Sequence, residues 1–442
     1  MSHAFQFSRA IVVSALILLT WPLVSCHHAP SAPVSIAFVD PEWSHDTSER
    51  KEIMEAVLQE FTRQTGIQVR HLPAPESVAD QLSLARQMLS NGTADVYGID
   101  VVWPGILKDS LLDLGPDFAS DMANEDPELV ANFTVQKRLV AVPFHTNVGV
   151  LFYRSDLLHE YGFSAPPRAW DELEKMAARI QAGERAKGNR DFWGYVWPGG
   201  AGEGLTCDAL EWQFSEGGGH IIEPDGTISV NNPNAVRAWQ RAARWIGKIS
   251  SPSVPTYQEW DAINAFRYTR KAAFLRSWTS DYFLSHPVRS EIANREGVTA
   301  VPRGSAARVS ALGGLGLAIS RSTTHQAEAV RLVKFLLQKE KQVDEERSKS
   351  HAPGQDEMVD LPAILKAYST APQSPEKRQS SVVARPSTVT GEKYERVSQA
   401  YFQAVHSVLS GKAKADAAAA GLEKELAGIT GFQPGPLPAK QN

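Results

Sequence analysis

The chain has 442 residues, a formal net charge of −5, 43% hydrophobic and 21% charged side chains, and two cysteines. Mild acidity without basic blocks excludes nucleic acid as a partner, because phosphates demand clustered Lys and Arg. A single core stops growing at about 250–300 residues, so a chain of this length is expected to form two domains.

Residues 1–25 have the pattern of a secretory signal. Arg9 precedes the apolar run Ala10 to Leu19, which is shorter than the roughly 20 residues a membrane span needs. The stretch ends in Leu23-Val24-Ser25-Cys26, which resembles the bacterial lipobox, whose cysteine receives a diacylglyceryl group and becomes the new first residue. An acylated Cys26 fixes the protein to a membrane surface and leaves Cys207 alone, so no intramolecular disulfide is expected. Residues 26–33 form a Pro- and Ala-containing tether. No later stretch is long and apolar enough to span a bilayer, so the mature chain is expected to be soluble apart from its anchor.

Val34 to Val39 is an apolar strand. Glu49 to Gln64 is an amphipathic helix, with Ile53, Val57, Leu58 and Phe61 on one face and Gly66 as its stop. Ile67 to Leu72 returns as a strand, Ala79 to Leu89 is a helix ended by Asn91-Gly92, and Val96 to Trp103 is a near-continuous apolar run suited to a parallel strand covered on both faces. This alternation predicts an α/β lobe. A strand pair follows around Leu139 to Val142 and Gly149 to Tyr153, and a helix begins near Trp170 after Pro166-Pro167. Helices are predicted over Asn234 to Ile249 and Asn264 to Phe274, and strands over Val298 to Pro302 and Gly313 to Ile319. His325 to Gln338 is a helix with Val330, Val333, Leu336 and Leu337 on its apolar stripe, and the mixed-charge Lys339 to Lys349 continues as an exposed helix.

Four stretches in this order resemble one family. They are Phe61 to Val69, Asp95 to Trp103, Val142 to Arg154 (Val-Pro-Phe-His-Thr-Asn-Val-Gly-Val-Leu-Phe-Tyr-Arg) and Trp170-Asp171-Glu172-Leu173. With Glu203 to Cys207 and Gly313 to Ile319, they resemble the extracellular solute-binding proteins of ABC importers, in the branch that takes maltose, trehalose and related oligosaccharides. The resemblance implies a two-lobed α/β periplasmic-binding-protein fold, hinged, with the ligand in the cleft between lobes. Lobe one would be 34–145 plus 312–345, and lobe two 148–305 plus 350–435. It further implies a monomeric, non-enzymatic receptor without a cofactor, lipid-anchored on the periplasmic or extracytoplasmic face of the membrane. Such a receptor captures a small carbohydrate, a disaccharide such as trehalose or maltose, and its closed form is recognised by the permease subunits.

A sugar presents hydroxyls at its edges and C–H groups on its faces, so its receptor combines fixed acceptors and donors with flat aromatic rings. Glu42 and Trp43 follow the first strand, at the carboxyl end where open α/β sheets place ligands. A solvated loop carboxylate and an aromatic lid on the lobe are the alternatives there. Asp100, beside Val101-Val102, either binds hydroxyls or caps a neighbouring helix, since an unpaired charge there is costly. Trp103, before Pro104, is expected to reach the cleft.

By resemblance, Asn147 stands where relatives often carry aspartate. An amide both donates and accepts, so sugar binding is retained with a different choice of hydroxyls. Glu203 follows the Gly-rich Gly199 to Gly202, in a stretch similar to trehalose-binding members, with a surface loop charge as the alternative. Trp278 matches a family tryptophan on which a sugar ring stacks, and Arg385 matches an arginine that hydrogen-bonds the ligand from the second lobe. Gly313 and Gly314 would let the backbone approach the ligand or form an ordinary turn. Leu315 stands where relatives commonly have Trp. A disaccharide is favoured by the stretch from Glu203 to Cys207 and by Trp212 shortly after it.

The rival class is a secreted glycoside hydrolase, which needs two carboxyl groups about 5–9.5 Å apart across the scissile bond. Glu42, Asp100 and Glu203 are the residues that would supply them. The twelve histidines are scattered without a metal-binding spacing, and Gly314-Leu315-Gly316 lacks the rest of a dinucleotide fingerprint.

Overall fold

The computed structural model describes residues 33–40, 48–75, 78–123, 125, 127–284, 295–349 and 380–437. The chain opens as β1 (Ser35–Asp40), α1 (Ser48–Thr65), β2 (Gln68–Pro73), α2 (Val78–Asn91) and β3 (Val96–Asp100). β1 pairs in parallel with both β2 and β3. Ile36 to Asp40 are all buried, as a strand covered on both faces requires. Gly66, at φ +74°, supplies the left-handed residue that ends α1.

β3 stops at Asp100, three residues earlier than the apolar run predicts. Pro104 stands at the start of the one-turn α3 (Pro104–Leu107), with Trp103 at its cap. The Asp100 carboxylate accepts the Val102 N–H at 2.9 Å and so holds the turn into that helix.

The chain continues through α4 (Gly115–Met122), α5 (Pro127–Asn132) and the small hairpin β4 (Thr134–Val135) with β5 (Arg138–Leu139) to β6 (Val142–Arg154). The two separate strands expected near Leu139 and Tyr153 are largely one, since β6 runs unbroken for 13 residues. Next come α6 (Ser155–Glu160), α7 (Trp170–Ala186), β7 (Trp193–Val196), α8 (Glu203–Ser215), α9 (Pro233–Trp245) and α10 (Glu259–Ile263). β8 (Ala272–Trp278), α11 (Thr279–Leu284), β9 (Glu296–Ala300), β10 (Arg308–Ile319), α12 (Gln326–Lys349) and β11 (Ser380–Val383) follow, and then the helices Ser387–Thr390, Tyr394–Leu409 and Ala415–Thr430.

The helix expected over Asn264 to Phe274 is half right. A π-type turn covers Asn264–Tyr268, Arg270 adopts φ +56°, and Ala272 already belongs to β8. Ala272 to Ser277 are all buried, and a short apolar run without alternation does not separate strand from helix.

The main path of the sheet runs β2-β1-β3-β10-β6-β8-β7. β10 pairs antiparallel with β3 through Leu315 to Ile319 and with β6 through Leu312 to Leu317, while its first residues, Arg308 to Ala311, pair with β11. β6 joins β10 through its first half and then β8 and β9 through Gly149 to Arg154. Two long strands therefore pass from one half of the molecule into the other, and the fold is a two-lobed α/β structure. One core gathers side chains from Ile36 to Val142 and from Leu312 to Leu336. The cores of the other half are built from Val148 to Val301, Val309 and Val383 to Ile429.

Tyr394 crosses this division. It heads a helix of the second lobe, yet its ring belongs to the first-lobe core. The neighbouring helix Ser387–Thr390 lies on α3, where a Cβ on Gly105 would overlap the Ser387 carbonyl. The segment from Ser387 to Tyr394 is thus seated on the first lobe while its flanks build the second.

At the crossing, the β10–β6 register shifts between Leu315 and Gly316. Gly314 beside it has φ +111°, and a Cβ there would overlap the His145 carbonyl. Gly314→Ala is expected to cost about 1–3 kcal/mol through backbone strain, read as a lower denaturation midpoint. An unchanged midpoint would show that another residue is tolerated at this bulge.

Candidate functional site at the lobe junction

Arg385 lies two residues beyond β11 and is buried. Its Nη1 donates to Glu203 Oε1 at 2.6 Å, and its Nη2 donates to the Leu312 carbonyl of β10 at 3.1 Å. Nη2 also stands 3.9 Å from Asp100 Oδ1. One guanidinium thus links a carboxylate of the first lobe, a carboxylate of the second and the strand that crosses between them. Its Nε is buried with no hydrogen-bond partner among the described residues, and a buried unpaired donor is costly unless a further acceptor arrives.

Glu203 is the first residue of α8 and also accepts from Tyr394 Oη and Ser398 Oγ. It is 41% exposed and Asp100 is 28% exposed, so both keep an accessible face. Burial raises the Asp100 carboxyl above the usual carboxylate range, against the opposing pull of Arg385 and of its bond from the Val102 N–H.

Trp278 ends β8 and meets β10 one residue after Leu312, since a Cβ on Gly313 would lie 2.9 Å from its Cζ3. The Arg276 guanidinium carbon stands 4.2 Å from the Trp278 ring centroid, and the indole Nε1 donates to Glu259 Oε1 at 2.8 Å. One face and the polar edge of this ring are held by protein.

Beneath lies a buried charge cluster. Arg276 Nε stands 2.8 Å from Asp208 Oδ1, and its Nη2 donates to Glu211 Oε1 at 2.7 Å. Glu211 also accepts the Ala311 N–H of β10 at 2.9 Å, so α8, β8 and β10 are locked together under the site. Burial pushes the Asp208 carboxyl well above the ordinary range against the attraction of Arg276. The guanidinium of Arg276 thus faces two buried carboxyl groups, Asp208 and Glu211.

Such a junction can hold an uncharged polar molecule. It offers carboxylate acceptors, a guanidinium donor and an indole, supplied by both lobes.

Residues 45–343 match the family of bacterial extracellular solute-binding proteins. The chain belongs to that family. A probable ABC transporter-binding protein of Deinococcus radiodurans is 40% identical to this solute-binding protein over 382 residues, covering 84% of this chain and 89% of the relative. Among solved structures, maltose-bound MalE3 of T. maritima superposes with a TM-score of 0.73 at 30% identity, covering 90% of this chain and all of that one. The cyclic α-maltosyl-1,6-maltose binding protein of Arthrobacter globiformis superposes with a TM-score of 0.69 at 21% identity, covering 90% and 99% of the two chains, a likeness of fold.

The solute-binding protein brings Asp100, Glu203 and Arg385 together, with Trp278 and Gly313 at the adjoining residue of β10. Other expectations are corrected. Trp103 packs into the first-lobe core, 2% exposed, because Pro104 turns the chain there. Trp212 is also 2% exposed and lies in an aromatic cluster 4.9 Å from Trp197, so it gives no support to a second sugar ring. Asn147 spends its carbonyl oxygen on Thr279 Oγ1 (2.6 Å) and the Ser280 N–H (3.1 Å), and its amide donates to Ser280 Oγ (3.0 Å). Its side chain fastens β6 to the start of α11. Gly313 and Gly314 make room for Trp278 and for the His145 carbonyl. Glu42, Trp43 and Cys26 lie outside the described residues.

Sequence reasoning missed Arg276, Glu211, Tyr394 and Glu259. The visible signal for the first two was a helix and a strand carrying charges at positions otherwise apolar, in Asp208-Ala-Leu-Glu211 and Phe-Leu-Arg276-Ser.

Proposed function

We propose that this chain is the carbohydrate-capturing component of an ABC importer, monomeric and lipid-anchored through Cys26. It takes a disaccharide such as trehalose or maltose and presents it to the permease subunits. The observation that carries this reading is Arg385 joining Asp100 and Glu203 across the lobes, one residue along β10 from the indole of Trp278. Carboxylate and guanidinium groups pair with sugar hydroxyls, and an indole face suits the C–H side of a ring. The maltose-bound relative of 30% identity agrees with this choice. A ligand that touches both lobes favours the closed arrangement by its differential contacts. No described helix is long and apolar enough to cross a membrane.

The test is a thermal-shift screen with trehalose, maltose and maltotriose, followed by calorimetry. One of these sugars is expected to raise the melting temperature without being cleaved. Trp278→Ala and Asp100→Ala should each weaken the best ligand at least about 10-fold, the scale of a lost stacking face or charged hydrogen bond. Product release would establish a hydrolase. Parent-like affinity in both variants would place the site elsewhere.

A further inference from the structure

Glu259 opens α10, where Gln258 and Asp261 form a reciprocal cap: the Gln258 N–H donates to Asp261 Oδ2 at 2.8 Å. The turn is fixed by its own hydrogen bonds, and Glu259 takes no part in them. Its Oε1 instead accepts the Trp278 indole N–H at 2.8 Å. A Cβ on Gly204 would lie 3.4 Å from that same oxygen and 3.6 Å from Glu259 Cγ, so the carboxylate rests against the residue that follows Glu203. Oε2 has no hydrogen-bond or ion-pair partner among the described residues, and the residue is exposed.

We propose that Glu259 is a ligand-reading carboxylate of this cleft, pinned by Trp278 through one oxygen and presenting the other to a hydroxyl of the sugar held by Trp278. The proposal rests on the carbohydrate-binding reading and adds a specificity-determining residue to it. A pinned carboxylate loses little further freedom on binding and only accepts, so the sugar must offer a hydroxyl donor at that position. A ligand deoxygenated or O-methylated there fits the shape but leaves the acceptor unpaired, and a polar site discriminates strongly against such analogues.

The experiment measures affinity for trehalose and maltose by calorimetry in the parent, Glu259→Gln, Trp278→Phe and the double variant. Glutamine keeps an amide oxygen for the indole N–H but turns the other acceptor into a donor, so Glu259→Gln is expected to weaken binding about 10- to 100-fold with the ligand-free melting temperature unchanged. In the Trp278→Phe background the same change should cost less, because the carboxylate is no longer pinned. Parent-like affinity in Glu259→Gln, with the parent binding normally, would reduce Glu259 to a support for Trp278 and overturn the proposal alone. Absence of sugar binding by the parent would overturn both this proposal and the reading on which it rests.

Discussion

Replacing Arg276 with methionine is expected to destabilise the second lobe by about 3–5 kcal/mol, because it leaves Glu211 charged, buried and without its cation. The side chains of Arg276, Asp208 and Glu211 are at most 1% exposed, so water does not take the place of the missing partner. Glu211 also holds the Ala311 N–H, and the damage should therefore spread to β10. A fall in melting temperature on the order of 10 °C follows for a lobe of this size. Replacing Arg276, Asp208 and Glu211 together with apolar residues of similar volume should recover much of the loss, since a buried polar cluster often contributes little net stability against a well-packed apolar substitute. Denaturant unfolding of the single and triple variants is the measurement. A single variant within about 1 kcal/mol of the parent would contradict this account of the cluster.

Arg385→Ala is the change expected to do most to ligand affinity, about 100-fold or more, with the fold intact. Truncating one member of a buried, hydrogen-bonded charge set typically costs about 2–5 kcal/mol of binding, which converts to roughly 30-fold upward. On the proposed reading, the loss combines a donor to the ligand with the observed link between Asp100 and Glu203. Glu203 retains Tyr394 and Ser398 as donors, and this protects α8 from an unpaired charge at its first residue. Arg385→Lys keeps the cation but does not reach Glu203, Leu312 and Asp100 together, so it should fall between parent and alanine variant. Calorimetric titration with the best sugar decides the matter. An alanine variant that binds as the parent does would remove Arg385 from the site.

Much of the first lobe was legible because its strands and helices alternate with clean periods. Val57, Leu58 and Phe61 mark the packed face of α1 and Gly66 ends it, whereas Ile53, expected on that face, is 56% exposed. The second lobe was harder. α8 buries ten of its thirteen residues, Asp208, Glu211 and Gln213 among them, so no apolar stripe stood out against a polar face. β8 is a short run buried on both sides, a pattern that in sequence also fits the end of a helix. Glu203, Trp278 and Arg385 were reached through resemblance and Asp100 through its place beside the Val101-Val102 run, and the structure brings them to one junction. Trp103 and Trp212 were misplaced for one physical reason: tryptophan serves a core as well as it serves a sugar, and only burial tells the two uses apart. Glu259 carried no local mark at all, because its partner Trp278 lies 19 positions along the chain.

β6 and β10 keep their neighbours within each half, and their mutual register slips only between Leu315 and Gly316, beside the positive-φ Gly314. In the proposed capture role, a swing of one lobe against the other would be taken up as torsion at that point. The contacts between the halves that would part and re-form in that role include the reach of Arg385 to Asp100 and the seat of Ser387 and Tyr394 on the first lobe. Opening of that kind would leave the separate cores of the two halves packed, so it would not require unfolding.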